Sequence, residues 1–250
     1  MLHQLALVTA IRQELVSEYD SSKGDEADAE MSNENLQLEL LKNTELMPIL
    51  HRMLAFSPAQ GDETQTRQDE LYFLQHEALW VLIVLSLGSA DVVEHTLQEV
   101  ELPSAQSQGQ VFYSHILDIV SGMALLAARQ SDWKMLHSLL NFMGNCACSG
   151  KLVCLNIMQR VDLKSLFHAL LGKISSVPAD ILELTCWLNS FLAKSGKIDK
   201  GNSDEILRHL IVDICETGIA RDHGKSLTYS LNTLRYLADT FEEEIPFIAK

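Results

Sequence analysis

Four stretches of this chain share one frame, and three of them recur at a nearly constant interval. The stretches are His76–Gly88 with Trp80, Leu139–Gly150 with Asn141, Leu184–Gly196 with Trp187, and Ser230–Asp239 with Asn232. Each is a Leu-rich run with helical spacing. Asn141 and Trp187 lie 46 residues apart, and Trp187 and Asn232 lie 45 apart. One such helix cannot bury its apolar face alone, so repeated helices stack, each against its neighbours. The interval matches the roughly 40–47 residues of two- and three-helix solenoid repeats. Trp80 and Asn141 are 61 apart. The excess falls on residues 101–110, polar and carrying Pro103 and Gly109, which read as an inserted loop.

Apolar residues make up 47% of the 250, enough for a continuous core. Only 5 Pro and 12 Gly interrupt the helical pattern, and β-branched runs are scarce, so the fold class is all-α. The longest strongly apolar stretch, Trp80–Leu87, is shorter than the roughly 18 residues of a membrane span and reads as a buried helix. The N-terminus lacks the residue order of a signal peptide. Five Cys in a long chain with a large core point to reduced thiols in an intracellular compartment.

The pattern resolves into units of a short, a medium and a long helix. A helix over Leu2–Val16 precedes an acidic disordered loop at 18–35, which holds seven acids and one base. Helical segments follow at Leu36–Leu41, Leu46–Phe56 and Glu70–Gly88, with a polar connection over Ser57–Asp69. The second unit takes in Val92–Val100, Val111–Ala128 and Asp132–Cys148. The third is Leu152–Arg160, Leu163–Ile174 and Ala179–Lys194, with Asp162 and Pro178 as helix starts. The fourth runs over Ser203–Gly218 and His223–Thr240. The apolar residues Ile245–Ala249 read as the opening of a fifth repeat in which the chain stops.

Three stretches carry a likeness to a known family: Lys42–Leu50, Glu77–Leu82 and Leu231–Leu237. On these, and on the shared order of units from Leu36 to Phe247, the chain resembles the armadillo-repeat domain of importin-alpha. The resemblance implies a single domain over 1–250, a right-handed α–α superhelix of about four to five three-helix repeats. It implies a non-enzymatic adaptor, without cofactor, that carries basic nuclear-localisation peptides between cytoplasm and nucleus and meets other transport factors. In that family a Trp and an Asn four residues later recur along the third helices. Stacked indoles make slots for Lys and Arg stems, and the Asn amide clamps the peptide backbone. Carried over by position, the peptide-binding residues are Glu77, Trp80, Asn141, Asn145, Trp187, Asn232 and Tyr236.

The match departs from the family in each repeat. Val84 stands where the Asn after Trp80 is expected, Asn141 where the Trp before Asn145 is expected, and Phe191 where the Asn after Trp187 is expected. Arg12 and Lys23 are the only bases before Leu36, so the Lys/Arg-rich carrier-binding segment is not matched. These departures support a second reading, a divergent armadillo scaffold that has lost import-signal binding and holds another protein in a complex.

The formal charge of −15 disfavours nucleic acid, which needs a basic surface, and favours a basic protein partner. Cys146, Cys148 and Cys154 match no zinc spacing, the His residues form no H-x-x-x-H pair, and phosphate-loop and G-x-S-x-G motifs are absent. Trp133, off the repeat frame, reads as a packing residue. A hydrolase using a buried Cys is the remaining enzymatic reading, and it requires one unusually reactive thiol.

Overall fold

The structure, a computed structural model, describes residues 6, 8–13, 15, 35–42, 45–55, 65–103, 111–195 and 202–240. The expected acidic loop up to residue 34 and the apolar 245–249 lie outside them. The described residues are helical apart from short turns and one two-stranded ribbon. Among them no helix is long and apolar enough to cross a membrane. The chain divides into two compact units, Met1–Ile119 and Val120–Lys250.

In the first unit, residues 8–13 and 35–42 are helical and precede α1 (Leu46–Ala55), α2 (Gln65–Leu85) and α3 (Ala90–Thr96). The core is built from Leu50 and Leu54 of α1 with Leu79, Leu82 and Leu85 of α2, each at most 2% exposed. Burying a Leu side chain stabilises by about 1.5–3 kcal/mol, so this i, i+3, i+4 stripe holds α1 to α2. Ser89 starts α3, its hydroxyl accepting from the Val92 amide at 3.4 Å.

Residues 101–103 depart from the loop expected at 101–110. Strand β1 (Val100–Pro103) pairs antiparallel with β2 (Val111–Ser114), Leu102 opposite Phe112 and Glu101 opposite Tyr113. Leu102 is buried and Glu101 exposed, the alternation of a half-buried strand. The Tyr113 hydroxyl donates to Glu101 Oε1 at 2.8 Å across the pair. The helix expected from Val111 accordingly begins later, as α4 (Ile116–Gln130). His115 starts it, its Nδ1 accepting from the Leu117 amide at 3.1 Å. Another departure is α2, which begins at Gln65, inside the stretch expected to be a connection.

The second unit takes most of α4 and then α5 (Trp133–Cys148), α6 (Lys151–Arg160), α7 (Leu163–Leu171), a 3-10 turn at Ile174–Ser176, α8 (Ala179–Lys194), α9 (Asn202–Arg221) and α10 (Ser226–Thr240). Caps fix these boundaries. The carboxylates of Asp132 and Asp162 each accept from the amide three residues on, at 3.1 Å. The Ser165 hydroxyl, and then its amide, hold the Asp162 carboxyl below its usual range, with smaller help from Lys164 and Arg129. Pro178 precedes α8 in extended conformation. Gly150 links α5 to α6 at φ 148°, a backbone region where a Cβ is strained. The long helices α5, α8 and α10 are neighbours in that order, with α8 packed on both others. α9 packs on α7, α8 and α10.

Two hydrogen-bond clusters repeat along this unit. Lys173 Nζ donates to the Arg129 carbonyl at the end of α4 and to Ser131 Oγ at 2.9 Å. Arg221, at the end of α9, donates to the Val177 carbonyl at 2.7 Å and to that of Ile174. In each case a base near the end of one helix reaches a carbonyl 44 residues earlier, at the end of a preceding helix or turn. Ser230 of α10 also donates to Cys186 Sγ of α8 at 3.3 Å, again 44 residues apart.

Candidate functional site on the long helices

The seven residues singled out from the sequence fall in the two units, five of them on the stacked helices of the second. Asn141 lies on α5, Trp187 on α8 and Asn232 on α10, all half-buried. Asn145, one turn beyond Asn141, is 9% exposed and engaged within the fold. Tyr236 is half-buried on α10, and the Arg235 guanidinium lies over its ring, 4.8 Å from the centroid. That face of the tyrosine already holds a cation of the protein's own.

Trp187 is set by its neighbours. Its six-membered ring lies against the α5 backbone at Gly144, where any side chain would run into Cε3, Cζ3 and Cη2 of the indole. Phe191, one turn on, meets it edge to face with centroids 5.7 Å apart and planes at 80°. The phenylalanine that takes the place expected for Asn therefore packs on the indole and offers no amide. Around these residues the exposed charges are mixed. His137 of α5 faces Asp180 of α8 at 4.0 Å with both side chains largely in solvent, a pair worth little. Glu183 of α8 accepts from the Lys225 amide at the start of α10 at 3.2 Å.

In the first unit Trp80 and Glu77 have opposite fates. Trp80 is 46% exposed, and Phe73 and Leu87, seven residues to either side, are 54% and 58% exposed. Seven residues are almost two helical turns, so Phe73 and Trp80 share one exposed face of α2, and Leu87 is exposed in the turn that follows the helix. The sequence reading had only Trp80 of these. Glu77 is 5% exposed and turned inward. Its Oε2 lies 3.1 Å from Arg12 Nε, an ion pair without hydrogen-bond geometry at that nitrogen, and accepts from Thr9 Oγ1 at 3.4 Å. Its carboxylate is spent on holding residues 9–12 to α2.

Two buried polar groups escaped the sequence reading. Asn189, two residues past Trp187, is completely buried, and neither amide atom has a partner among the described residues. His51 is completely buried in the first unit, Nδ1 3.2 Å from Ser114 Oγ and Nε2 unpartnered. Burial, with help from His115, pushes its pKa down to about 4, so it is neutral at pH 7.

Four of the five thiols are shielded by their surroundings. Cys146, Cys154, Cys186 and Cys215 are buried, and desolvation raises all four; Cys154 and Cys186 reach about 11. Cys148 is exposed, and its pKa is also raised, chiefly by desolvation. Among the described residues no group of three or more His, Cys, Asp or Glu is placed to hold a metal ion. The sequence matches no protein-family model and no curated protein.

Proposed function

We propose that this protein is a non-enzymatic helical-repeat scaffold, an armadillo-like solenoid, that holds an extended basic segment of a partner protein along its long helices. The observation that carries the reading is the recurrence of Asn141, Trp187 and Asn232. They lie on three neighbouring helices at intervals of 46 and 45 residues, half-exposed in each case. The 44-residue cross-links at Lys173 and Arg221 support the repeat independently. Side chains repeated on stacked helices meet an extended peptide at regular intervals, which is how solenoids bind.

The chemistry of the segment follows from charge. A chain of net charge −15 attracts bases over a Debye length, and Asp180 and Asp239 stand exposed on α8 and α10. Import-signal binding, with location in cytoplasm and nucleus, is the narrower form of the same reading, and the exposed indole of Trp80 favours it. Against it stand Glu77, committed to Arg12, and Tyr236, covered by Arg235. A scaffold for one basic partner fits better than a general import adaptor.

The test is fluorescence anisotropy of a labelled Lys/Arg-rich 16-residue peptide titrated with the full chain. Micromolar binding, about −8 kcal/mol, that weakens at least tenfold on Trp187→Ala supports the reading. Equal binding by Trp187→Ala, or no binding at physiological salt, sinks the basic-segment assignment.

A further inference from the structure

Helices α4, α7 and α9 carry a second surface with the opposite charge. A groove of about 640 Å³ runs between the end of α4, the outer side of α7 and the first half of α9. Its walls include Arg129, Lys164, His168 and Lys173, and its apolar part is Ile206 and Leu210. Among the described residues no carboxylate lines it, in a chain with 34 acidic and 19 basic residues. None of its lining residues belongs to α5, α8 or α10, so it is separate from the face proposed above.

The basic groups have unequal duties. Lys173 is fixed by the Arg129 carbonyl and Ser131 hydroxyl, which makes it part of the wall. Arg129, Lys164 and His168 have no hydrogen-bond or ion-pair partner for their side chains among the described residues. Asp162, the carboxylate that feels both Arg129 and Lys164, is already occupied in capping the Ser165 amide. Beside these groups Ile206 is 59% exposed and Leu210 half-buried. The free cations Arg129 and Lys164, with the His168 imidazole as a further polar group, and exposed aliphatic carbon on the other wall match a segment that alternates carboxylates with apolar side chains. An inorganic anion would leave the aliphatic wall uncovered.

We infer that this groove docks an acidic amphipathic segment of a partner protein. Its carboxylates meet Arg129, Lys164 and His168, and a Leu-type side chain covers Ile206 and Leu210. The inference stands without the reading of the long helices, and it gives the scaffold two faces of opposite selectivity.

The test uses the full chain and a fluorescein-labelled 16-residue peptide of Glu, Leu and Ala. Its controls are the same peptide with Gln for Glu and a single-stranded oligoribonucleotide of equal charge. Saturable binding is expected at physiological salt, falling steeply as salt rises. The double substitution Arg129→Glu with Lys164→Glu lowers affinity at least tenfold, and Ile206→Ser lowers it about threefold or more, as one exposed aliphatic contact would. Circular dichroism of each variant checks that helicity is kept, and Trp187→Ala leaves this affinity unchanged. Equal binding of the Gln peptide, unchanged affinity in the charge-reversed variant, or tighter binding of the oligoribonucleotide overturns the inference.

Discussion

Gly144 is where the packing of Trp187 makes its sharpest prediction. In the middle of a helix, Gly→Ala removes backbone freedom from the unfolded chain and stabilises by roughly 0.5–1 kcal/mol when the site has room. Gly144 has no room: its Cβ would fall within the indole of Trp187. Forcing one methyl into a packed site costs typically ~1–3 kcal/mol. In the wild-type chain Gly144→Ala is therefore destabilising by about 0–2.5 kcal/mol. In a Trp187→Ala background the obstruction is gone, and the same substitution becomes stabilising by roughly 0.5–1 kcal/mol. The sign reverses, and the coupling between the two positions is about 1–3 kcal/mol. Urea unfolding of all four proteins followed by circular dichroism measures it. If Gly144→Ala stabilises the wild type as much as it stabilises Trp187→Ala, the indole does not rest on α5 and the packing described above is wrong.

Three further outcomes follow from particular contacts. His51 has a pKa of about 4 in the fold against 6.5 unfolded, so the neutral ring is favoured and stability is lost as pH falls below 6.5. By linkage the loss from pH 7.5 to pH 5 is about 2 kcal/mol, and His51→Gln should flatten the stability curve by that amount; an unchanged slope rules out a buried neutral imidazole. Maleimide at pH 8 should label Cys148 alone in the native protein, with the other four thiols reacting only after unfolding; mass spectrometry that finds Cys186 or Cys215 labelled first would contradict their burial. Arg221→Ala should cost about 1.5–3 kcal/mol in urea unfolding, because it removes charge-assisted bonds to the Ile174 and Val177 carbonyls; a change below about 0.5 kcal/mol would show those bonds are idle.

The helices of the second unit could be read from the sequence because their ends carry local chemistry. Asp132, Asp162 and Pro178 act within three residues of themselves, and the apolar stripes between them have helical period. The ribbon at Val100–Pro103 and Val111–Ser114 was hidden because each strand is four residues long and its partner lies across a polar stretch. Val111, Phe112 and Tyr113, a β-branched residue followed by two aromatics, were the available sign.

The site was legible as a set of positions and illegible as chemistry. Periodicity places Asn141, Trp187 and Asn232 on equivalent helices. It says nothing of Arg12 meeting Glu77, 65 residues away, or of Arg235 folding over its neighbour Tyr236. The basic groove left no mark in the sequence, because Arg129, Lys164, His168 and Lys173 are dispersed over 45 residues of an acidic chain. The fold alone gathers them.

The measurement closest to the central claim is hydrogen–deuterium exchange of the full chain with and without a saturating Lys/Arg-rich peptide. The account predicts added protection on α5, α8 and α10, centred on Asn141, Trp187 and Asn232, with α7 and α9 unchanged. Protection confined to α7 and α9, or no change anywhere at saturation, would contradict a binding face on the long helices.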